Sequence, residues 1–148
     1  MTNEDKLLAY RDAMRELDRL GEELEECRAR AESMTASYSL TPGGSGDGRR
    51  MEHHALKLAE LGAEYARRLD ELAAQRLEVG QIIDAVPDAL TRAALRLRFL
   101  DGLTWKQTAE KLELTDTWTF KLWGRVRKAW RDAEQTATAD RSTLLGPD

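Results

Sequence analysis

Cysteine is almost absent from this chain of 148 residues, since Cys27 is the only one. A single cysteine cannot form an intrachain disulfide or a cysteine-rich zinc site. Prolines number only three and aromatic residues make up 6%, and β-branched residues are few, so the composition gives little support for β-strands. No apolar run approaches the roughly 20 residues that cross a bilayer, and no signal peptide is recognisable. We therefore expect an all-α, cytoplasmic protein that has no contact with a membrane.

Residue types that often carry catalysis are present, but their arrangement does not suit it. The adjacent His53 and His54 would diverge by about 100° on a helix and cannot chelate one metal as an i, i+4 pair does. The segment PGGSGDG lacks the Lys-Ser/Thr ending and the preceding strand of a phosphate-binding loop. The glutamates of residues 22–26 form a solvated face, and Cys27 occupies an apolar position that favours burial over reactivity. The sequence predicts no enzyme, no metal and no cofactor.

Two heptad patterns organise the first half of the chain, because apolar residues recur there in alternating steps of three and four. The first pattern comprises Tyr10, Ala13, Leu17, Leu20, Leu24, Cys27, Ala31, Met34 and Tyr38, and the second Met51, Ala55, Leu58, Gly62, Tyr65, Leu69, Leu72, Arg76, Val79, Ile83 and Val86. Pro42 and several glycines lie between them and favour a chain reversal. Residues 1–84 are therefore expected to form a long antiparallel helical hairpin, a coiled-coil arm, with a flexible loop at about 39–50.

Some apolar residues of the arm fall outside both patterns and call for further packing partners. They are Leu7, Leu8 and Met14 in the first helix and Leu56, Leu77 and Ile82 in the second. These side chains could pack on the C-terminal part of the same chain or on a second chain. Because the arm is long and thin, we favour a homodimer formed through it.

The second half of the chain has the spacing of two short helices that meet at a tight turn. Pro87 and Asp88 favour the start of a helix that runs to about Leu100 and ends at Asp101 and Gly102. Next, Thr104 can cap a helix whose inward face holds Thr108, Ala109 and Leu112; Glu113 occupies the turn, and Thr115 caps a second helix. Thr119, Leu122 and Val126 then recur at helical spacing, with Trp123 and Trp130 also toward the core. This pattern predicts a helix-turn-helix.

The outer face of the second helix has the chemistry of a DNA-contacting surface. The candidate DNA-binding residues are Thr115, Thr117, Trp118, Lys121, Gly124, Arg125 and Lys128. Although the net charge is -4, residues 1–84 hold 12 Lys/Arg and 18 Asp/Glu, whereas residues 85–148 hold 11 and 9. Basic residues late in a helix also complement its dipole and need no ligand. Their coincidence with one outer face favours double-stranded DNA as the partner.

The segments ALRLRFLDGLTWKQTAEKL and KLWGRVRKAW resemble region four of bacterial sigma factors and the related tails of response regulators. More closely, the chain resembles a family of small proteins of unassigned function encoded by phages and prophages of Gram-positive bacteria. In that family an N-terminal coiled coil precedes a sigma-like helix-turn-helix. Glu113 stands where the family usually has a glycine, and Thr119 where a valine is usual. The resemblance implies DNA binding in a phage or prophage setting, inside the bacterial host cell.

We therefore divide the chain into a coiled-coil arm (1–84), a helix-turn-helix DNA-binding domain (85–134) and a mobile tail (135–148). The function expected first is that of a sequence-specific transcription regulator. One alternative is a small terminase-type DNA-packaging subunit, which would form a ring. Another is an interaction module that binds RNA polymerase. We expect the loop itself not to contact DNA; the rival interpretation is that Arg49, Arg50, His53 and His54 form a second polyanion contact at this end of the arm.

Overall fold

The computed structural model describes residues 1–40 and 45–144, and every regular element in this part of the chain is helical. The elements are α1 (Asn3–Leu40), α2 (Ser45–Asp84), α3 (Ala89–Leu95), a π-helical segment (Arg96–Leu100), α4 (Trp105–Lys111) and α5 (Asp116–Leu144). The all-α expectation is confirmed. Among these helices, none is both long and apolar enough to cross a membrane.

Two expected irregular segments are shorter than the sequence indicated. Because α1 ends at Leu40 and α2 begins at Ser45, residues 39–40 and 45–50 of the expected loop are helical, while 41–44 lie outside the described residues. A helical glycine costs only about 1 kcal/mol, so Gly46 and Gly48 do not stop a helix by themselves. At the other end, α5 continues to Leu144 because residues 135–144 contain neither glycine nor proline. Positions 145–148 of the expected tail lie outside the described residues.

The chain forms two compact units. The first unit comprises Met1–Arg11 together with Gln75–Asp148, and the second comprises Asp12–Ala74. The expected domain boundary between residues 84 and 85 thus lies inside the first unit. In its core the first unit buries Leu7, Tyr10, Val79, Ile83, Val86, Ala94, Leu95, Phe99, Ala109, Leu122, Trp123 and Val126. Leu7, which lies outside the heptad pattern of α1, is fully buried because the start of α1 packs in this core with the C-terminal part of the same chain, one of the two expected alternatives.

The helical connection between α2 and α4 begins and ends at the residues that the sequence of positions 87–102 predicted. Asp88 caps α3, and its carboxylate accepts hydrogen bonds from the Thr91 amide (3.0 Å) and the Thr91 hydroxyl (2.6 Å). These bonds lower the pKa of Asp88 because they favour the charged carboxylate. Gly102 ends the segment with a φ of 74°, a left-handed conformation that glycine adopts without strain. The expected start and end of this helical stretch are confirmed.

Helices α4 and α5 pack against each other and are joined by a short turn, as the spacing predicted. Thr104 caps α4 by accepting from the Gln107 amide (3.1 Å), while the Gln107 side chain accepts from the Thr104 amide (3.0 Å). Thr115 precedes α5 and accepts from the Trp118 amide (3.1 Å). The Leu114 amide donates to the Ala109 carbonyl (2.9 Å) and so closes the turn.

Glu113 holds the left-handed conformation in this turn, with a φ of 58°. A residue with a Cβ atom pays roughly 1–2 kcal/mol there, whereas glycine does not. We therefore expect Glu113→Gly to raise the free energy of unfolding by about 1 kcal/mol, measured by urea denaturation. Glu110→Gly is the control, because Glu110 is exposed within α4 and its replacement should lower stability by a similar amount. Equal destabilisation by both variants would contradict the strain at Glu113.

Within the second unit, the packed stripe of α1 matches its predicted heptad pattern. Leu17 and Cys27 are buried, and Ala13, Leu20, Leu24, Ala31 and Met34 are half-buried. The helices α1 and α2 approach each other at Gly21, where an added Cβ atom would lie 3.3 Å from a ring carbon of Tyr65. The absence of a side chain at Gly21 thus permits close packing on this ring.

The packed stripe of α2 differs from its predicted pattern at alternate positions. Met51, Leu58, Tyr65 and Leu72 are half-buried as expected, whereas Leu69 is 47% exposed. The intervening half-buried positions include His54, Leu61 and Arg68, each one residue before the predicted position. Arg68 can occupy the stripe because its guanidinium reaches outward to Glu64 at 2.8 Å. Leu69 was therefore wrongly assigned to the packed surface.

Glu64 is the centre of an ion-pair network on α2. Its carboxylate accepts hydrogen bonds from Arg67 (2.7 Å) and Arg68 (2.8 Å), which lower its pKa from 4.5 to about 2. A lowered pKa means that the folded state gains stability above the ordinary pKa of a glutamate. That gain is lost as the pH falls from about 4.5 toward 2.

Candidate nucleic-acid interface

The predicted DNA-binding residues share one exposed side of α5. We call Thr117, Trp118, Lys121, Gly124, Arg125 and Lys128 the basic face. All are exposed except Gly124, which is half-buried. Because they recur at helical spacing, they project from the same side of α5, opposite the buried Thr119, Leu122 and Val126. Neither Lys121 nor Lys128 forms an ion pair with a described residue, so both ammonium groups are available to bind an external anion.

Thr115 has a structural task as well as a position at the start of the basic face. Its hydroxyl oxygen accepts the Trp118 amide and thereby caps the first turn of α5. The hydroxyl proton remains able to donate to a phosphate. This arrangement fixes Thr115 beside Thr117 and Trp118 at the leading end of the helix.

Trp118 and Arg125 form a stacked pair on the basic face. The guanidinium carbon of Arg125 lies 5.2 Å from the centre of the Trp118 ring, within the range of a cation–π interaction. Because Trp118 is 37% exposed, the pair remains accessible to solvent. Stacking restricts the Arg125 side chain, so less entropy is lost when it binds an anion.

Gly124 is not required by packing within the chain. A Cβ atom built at this position would meet nothing within 4 Å. Gly124 lies between Lys121 and Lys128 on an α-helix with ordinary dihedral angles. Because it has no side chain, nothing projects from the centre of the basic face. A flat, basic helix surface of this kind can approach a polyanion closely.

An aromatic cluster supports the basic face from the opposite side of α5. It comprises Phe99, Trp105, Phe120, Trp123 and Trp130, whose neighbouring ring centres lie 5.1–6.1 Å apart. Trp105 and Trp123 are the central rings, because each contacts three others of the cluster. Rings at these separations add packing energy beyond the area that they bury. The cluster therefore fixes the position of α5 relative to α4 and the π-helical segment.

Two arginines of the basic run point away from the basic face. Arg127 and Arg131 lie 3.5 and 3.6 Å from the carboxylate of Glu4, which belongs to α1 and to the same unit. Arg127 also stacks on Trp123, with its guanidinium carbon 5.2 Å from the ring centre. Both arginines are thus engaged within the protein, and the positive charge available outside is carried mainly by Lys121, Arg125 and Lys128.

Arg76 and Arg98 have structural contacts that the sequence pattern did not indicate. Arg76 donates to the Leu100 carbonyl (2.9 Å) and to the Tyr10 hydroxyl (3.3 Å), so it joins both long helices to the π-helical segment within the first unit. Buried Arg98 donates to the Leu103 carbonyl (2.8 Å) and stacks on Trp105 at 5.0 Å. The Arg76 contacts join residues that are distant in sequence, and Arg98 satisfies the hydrogen-bonding capacity of a carbonyl in a turn. Helical periodicity predicts neither of them.

The structure thus brings all seven predicted residues to one end or one side of α5. Sequence reasoning missed the contact of Glu4 with Arg127 and Arg131, because residues more than 120 positions apart leave no local pattern in the sequence. Comparisons with family models, curated proteins and solved structures find no match to this chain. The geometry and charge of the basic face are therefore the features from which a function can be inferred.

Proposed function

We propose that this protein binds double-stranded DNA in a sequence-specific way and acts as a transcription regulator. The observation that carries the proposal is the basic face, which projects three cations and an exposed tryptophan from a helix preceded by a short helix and a tight turn. In the proposed complex α4 and α5 act as a helix-turn-helix of the type found in sigma region four. Helix α5 enters the major groove, Thr117 and Trp118 approach base edges, and Lys121, Arg125 and Lys128 approach phosphates.

The same proposal includes the arm and the biological setting. Residues 1–84 would form an antiparallel helical hairpin that holds two copies of the chain together, since half-buried stripes run along α1 and α2 in the second unit. A homodimer would present two copies of α5 to two half-sites of DNA. The resemblance to small phage and prophage proteins supports a role in the transcription of phage genes.

Enrichment from a random pool of duplexes, followed by affinity measurements at several salt concentrations, tests this function. We expect a defined sequence to be enriched, and its binding to weaken as salt rises because phosphate contacts release counterions. Enrichment of no sequence, together with salt-dependent binding to all duplexes, would contradict sequence-specific regulation. Absence of duplex binding at low salt would contradict DNA binding altogether.

A polymerase-binding module is the second candidate, and the exposed aromatic edge of α5 favours it. Phe120 is 54% exposed and rests on Trp105, with ring centres 5.7 Å apart. A large exposed aromatic side chain is typical of a protein-contact surface. Phe120→Ala would then abolish binding to purified bacterial RNA polymerase while leaving duplex affinity unchanged.

Glu4 is expected to restrain DNA binding, because its carboxylate neutralises Arg127 and Arg131. Glu4→Gln should leave the positive charge of both arginines uncompensated and so raise duplex affinity about three- to tenfold at low salt through the longer-range field. Glu23→Gln is the matched control, since it makes the same charge change at an exposed glutamate that forms no ion pair with a described residue. Equal effects of the two variants in fluorescence anisotropy would show that net charge alone is responsible.

A further inference from the structure

A second basic surface lies near the start of α2, within the second unit. Its members are exposed and lie three or four residues apart, so they share one side of the helix; we call Arg49, Arg50, His53 and Lys57 the arm face. The arm face extends for about 12 Å along α2, at ~1.5 Å per residue. It ends at Glu60, which lies one turn beyond Lys57.

The structure separates the two adjacent histidines of this segment. His53 is exposed, whereas His54 is half-buried in the packed stripe of α2 and its Nδ1 atom is buried. The two rings meet edge to face, with their centres 5.9 Å apart. His53 therefore stays on the exposed side, where an imidazole N–H can donate to an anion, and His54 does not belong to the arm face.

Positive charge is concentrated at the arm face, because the rest of the second unit is acidic. Residues 49–57 hold three Lys/Arg and one Asp/Glu, whereas the other residues of the second unit hold 6 and 13. Glu52, the acidic residue of this stretch, lies about 100° round the helix from His53 and thus outside the arm face. The acidic surface elsewhere on this unit repels a polyanion, so an anion is attracted to the arm face.

Internal ion pairs do not account for these cations. Four other basic residues of the second unit pair with a glutamate on their own helix, namely Arg19, Arg28, Arg67 and Arg68. Among the described residues, no carboxylate forms an ion pair with Arg49, Arg50 or Lys57. The helix dipole does not account for them either, because it stabilises cations at the end of a helix and these lie near the start of α2.

We propose that the arm face binds the phosphate backbone of duplex DNA, as a second contact surface besides the basic face of α5. The inference rests on the proposed function for the identity of the polyanion. Duplex DNA carries one negative charge per about 1.7 Å of its axis, so a surface about 12 Å long meets about seven phosphates. Because phosphates are the same in every sequence, this contact adds affinity without sequence preference.

A variant of the full chain with Arg49→Gln, Arg50→Gln and Lys57→Gln tests the contact. We expect its affinity for every duplex to fall about tenfold or more at low salt. The slope of log affinity against log salt should decrease by roughly 2–3, at about 0.9 for each lost phosphate contact. The ratio of affinities for an enriched sequence and for other duplexes should stay unchanged, and so should helicity, since glutamine is a good helix former.

The control variant carries Arg15→Gln, Arg19→Gln and Arg28→Gln, which remove the same charge from exposed positions of α1 in the same unit. Equal losses in the two variants, or no loss in the arm-face variant, would overturn the proposal. Weaker binding to polyglutamate with unchanged duplex affinity would also overturn it, because the arm face would then bind an acidic protein. Failure of the proposed function gives a different result: no sequence is enriched, yet the arm-face variant still binds every duplex more weakly.

Alkylation of an introduced cysteine tests whether DNA covers the arm face. Cys27 is buried, so a maleimide reacts first with the exposed thiol of His53→Cys. We expect a saturating duplex to slow this reaction, because the bound backbone covers position 53. Glu23→Cys, at an exposed position of α1, is the control and should react equally fast with and without the duplex. A reaction of His53→Cys that the duplex does not slow would overturn the proposal.

Discussion

A triple variant with Lys121→Ala, Arg125→Ala and Lys128→Ala is expected to bind duplex DNA roughly 100- to 1,000-fold more weakly than the unmodified chain. Each side chain is exposed on the basic face, and each charge-assisted contact with phosphate contributes about 1.5–3 kcal/mol at most. The fold should persist, since alanine is the most favourable helix residue and none of the three is buried.

The salt dependence of binding separates direct contacts from a general change of charge. Loss of three phosphate contacts should reduce the slope of log affinity against log salt by roughly 2.7, or about 0.9 for each contact. Arg19→Ala, Arg28→Ala and Arg30→Ala form the control, because they remove the same charge from exposed positions of α1. If the control lost as much affinity and slope, the basic face would not be the binding surface.

Local signals in the sequence were sufficient to place α4 and the start of α5. Thr104 and Thr115 cap the two helices because their hydroxyl oxygens satisfy amides three residues onward, which spacing alone reveals. Ala109 is buried between helices, as its small size indicated. The same reasoning placed Lys121, Arg125 and Lys128 on an exposed side, because the buried face of an amphipathic helix defines the opposite face.

The pattern of α2 could not be resolved from the sequence, because the helix has two apolar faces. Leu69 and Tyr65 both fit a heptad repeat, yet Tyr65 is half-buried and Leu69 is exposed. When apolar residues lie on two sides of a helix, periodicity alone does not decide which side packs within the chain. Arg68 is half-buried in the packed stripe, at a position that hydrophobicity would assign to leucine, because its guanidinium reaches Glu64.

Contacts between distant residues were equally inaccessible to sequence reasoning. Arg76 occupies a position of the second heptad pattern, but its role follows from the carbonyl of Leu100 and the hydroxyl of Tyr10. Neither acceptor is related to Arg76 by helical spacing. A heptad position therefore does not identify the partner of the polar side chain that occupies it.

Trp123→Ala should lower the free energy of unfolding by about 3–5 kcal/mol, the largest loss of stability that we expect from one substitution. Trp123 is 6% exposed and contacts three other rings and Arg127. Its removal leaves a cavity at the centre of the aromatic cluster, and a domain of this size has only about 5–15 kcal/mol to lose. Urea unfolding followed by circular dichroism measures the change.

Trp118→Ala is the matched control, because it removes the same side chain from an exposed position seven residues before Arg125. We expect its unfolding free energy to change by less than about 1 kcal/mol, since Trp118 is 37% exposed. Its duplex affinity should instead fall about tenfold, because Arg125 loses the ring on which it stacks. If Trp118→Ala destabilised the protein as much as Trp123→Ala, Trp118 would belong to the core. In that case the basic face would have no aromatic side chain to offer, and the proposed interface would consist of phosphate binding by Lys121, Arg125 and Lys128 alone.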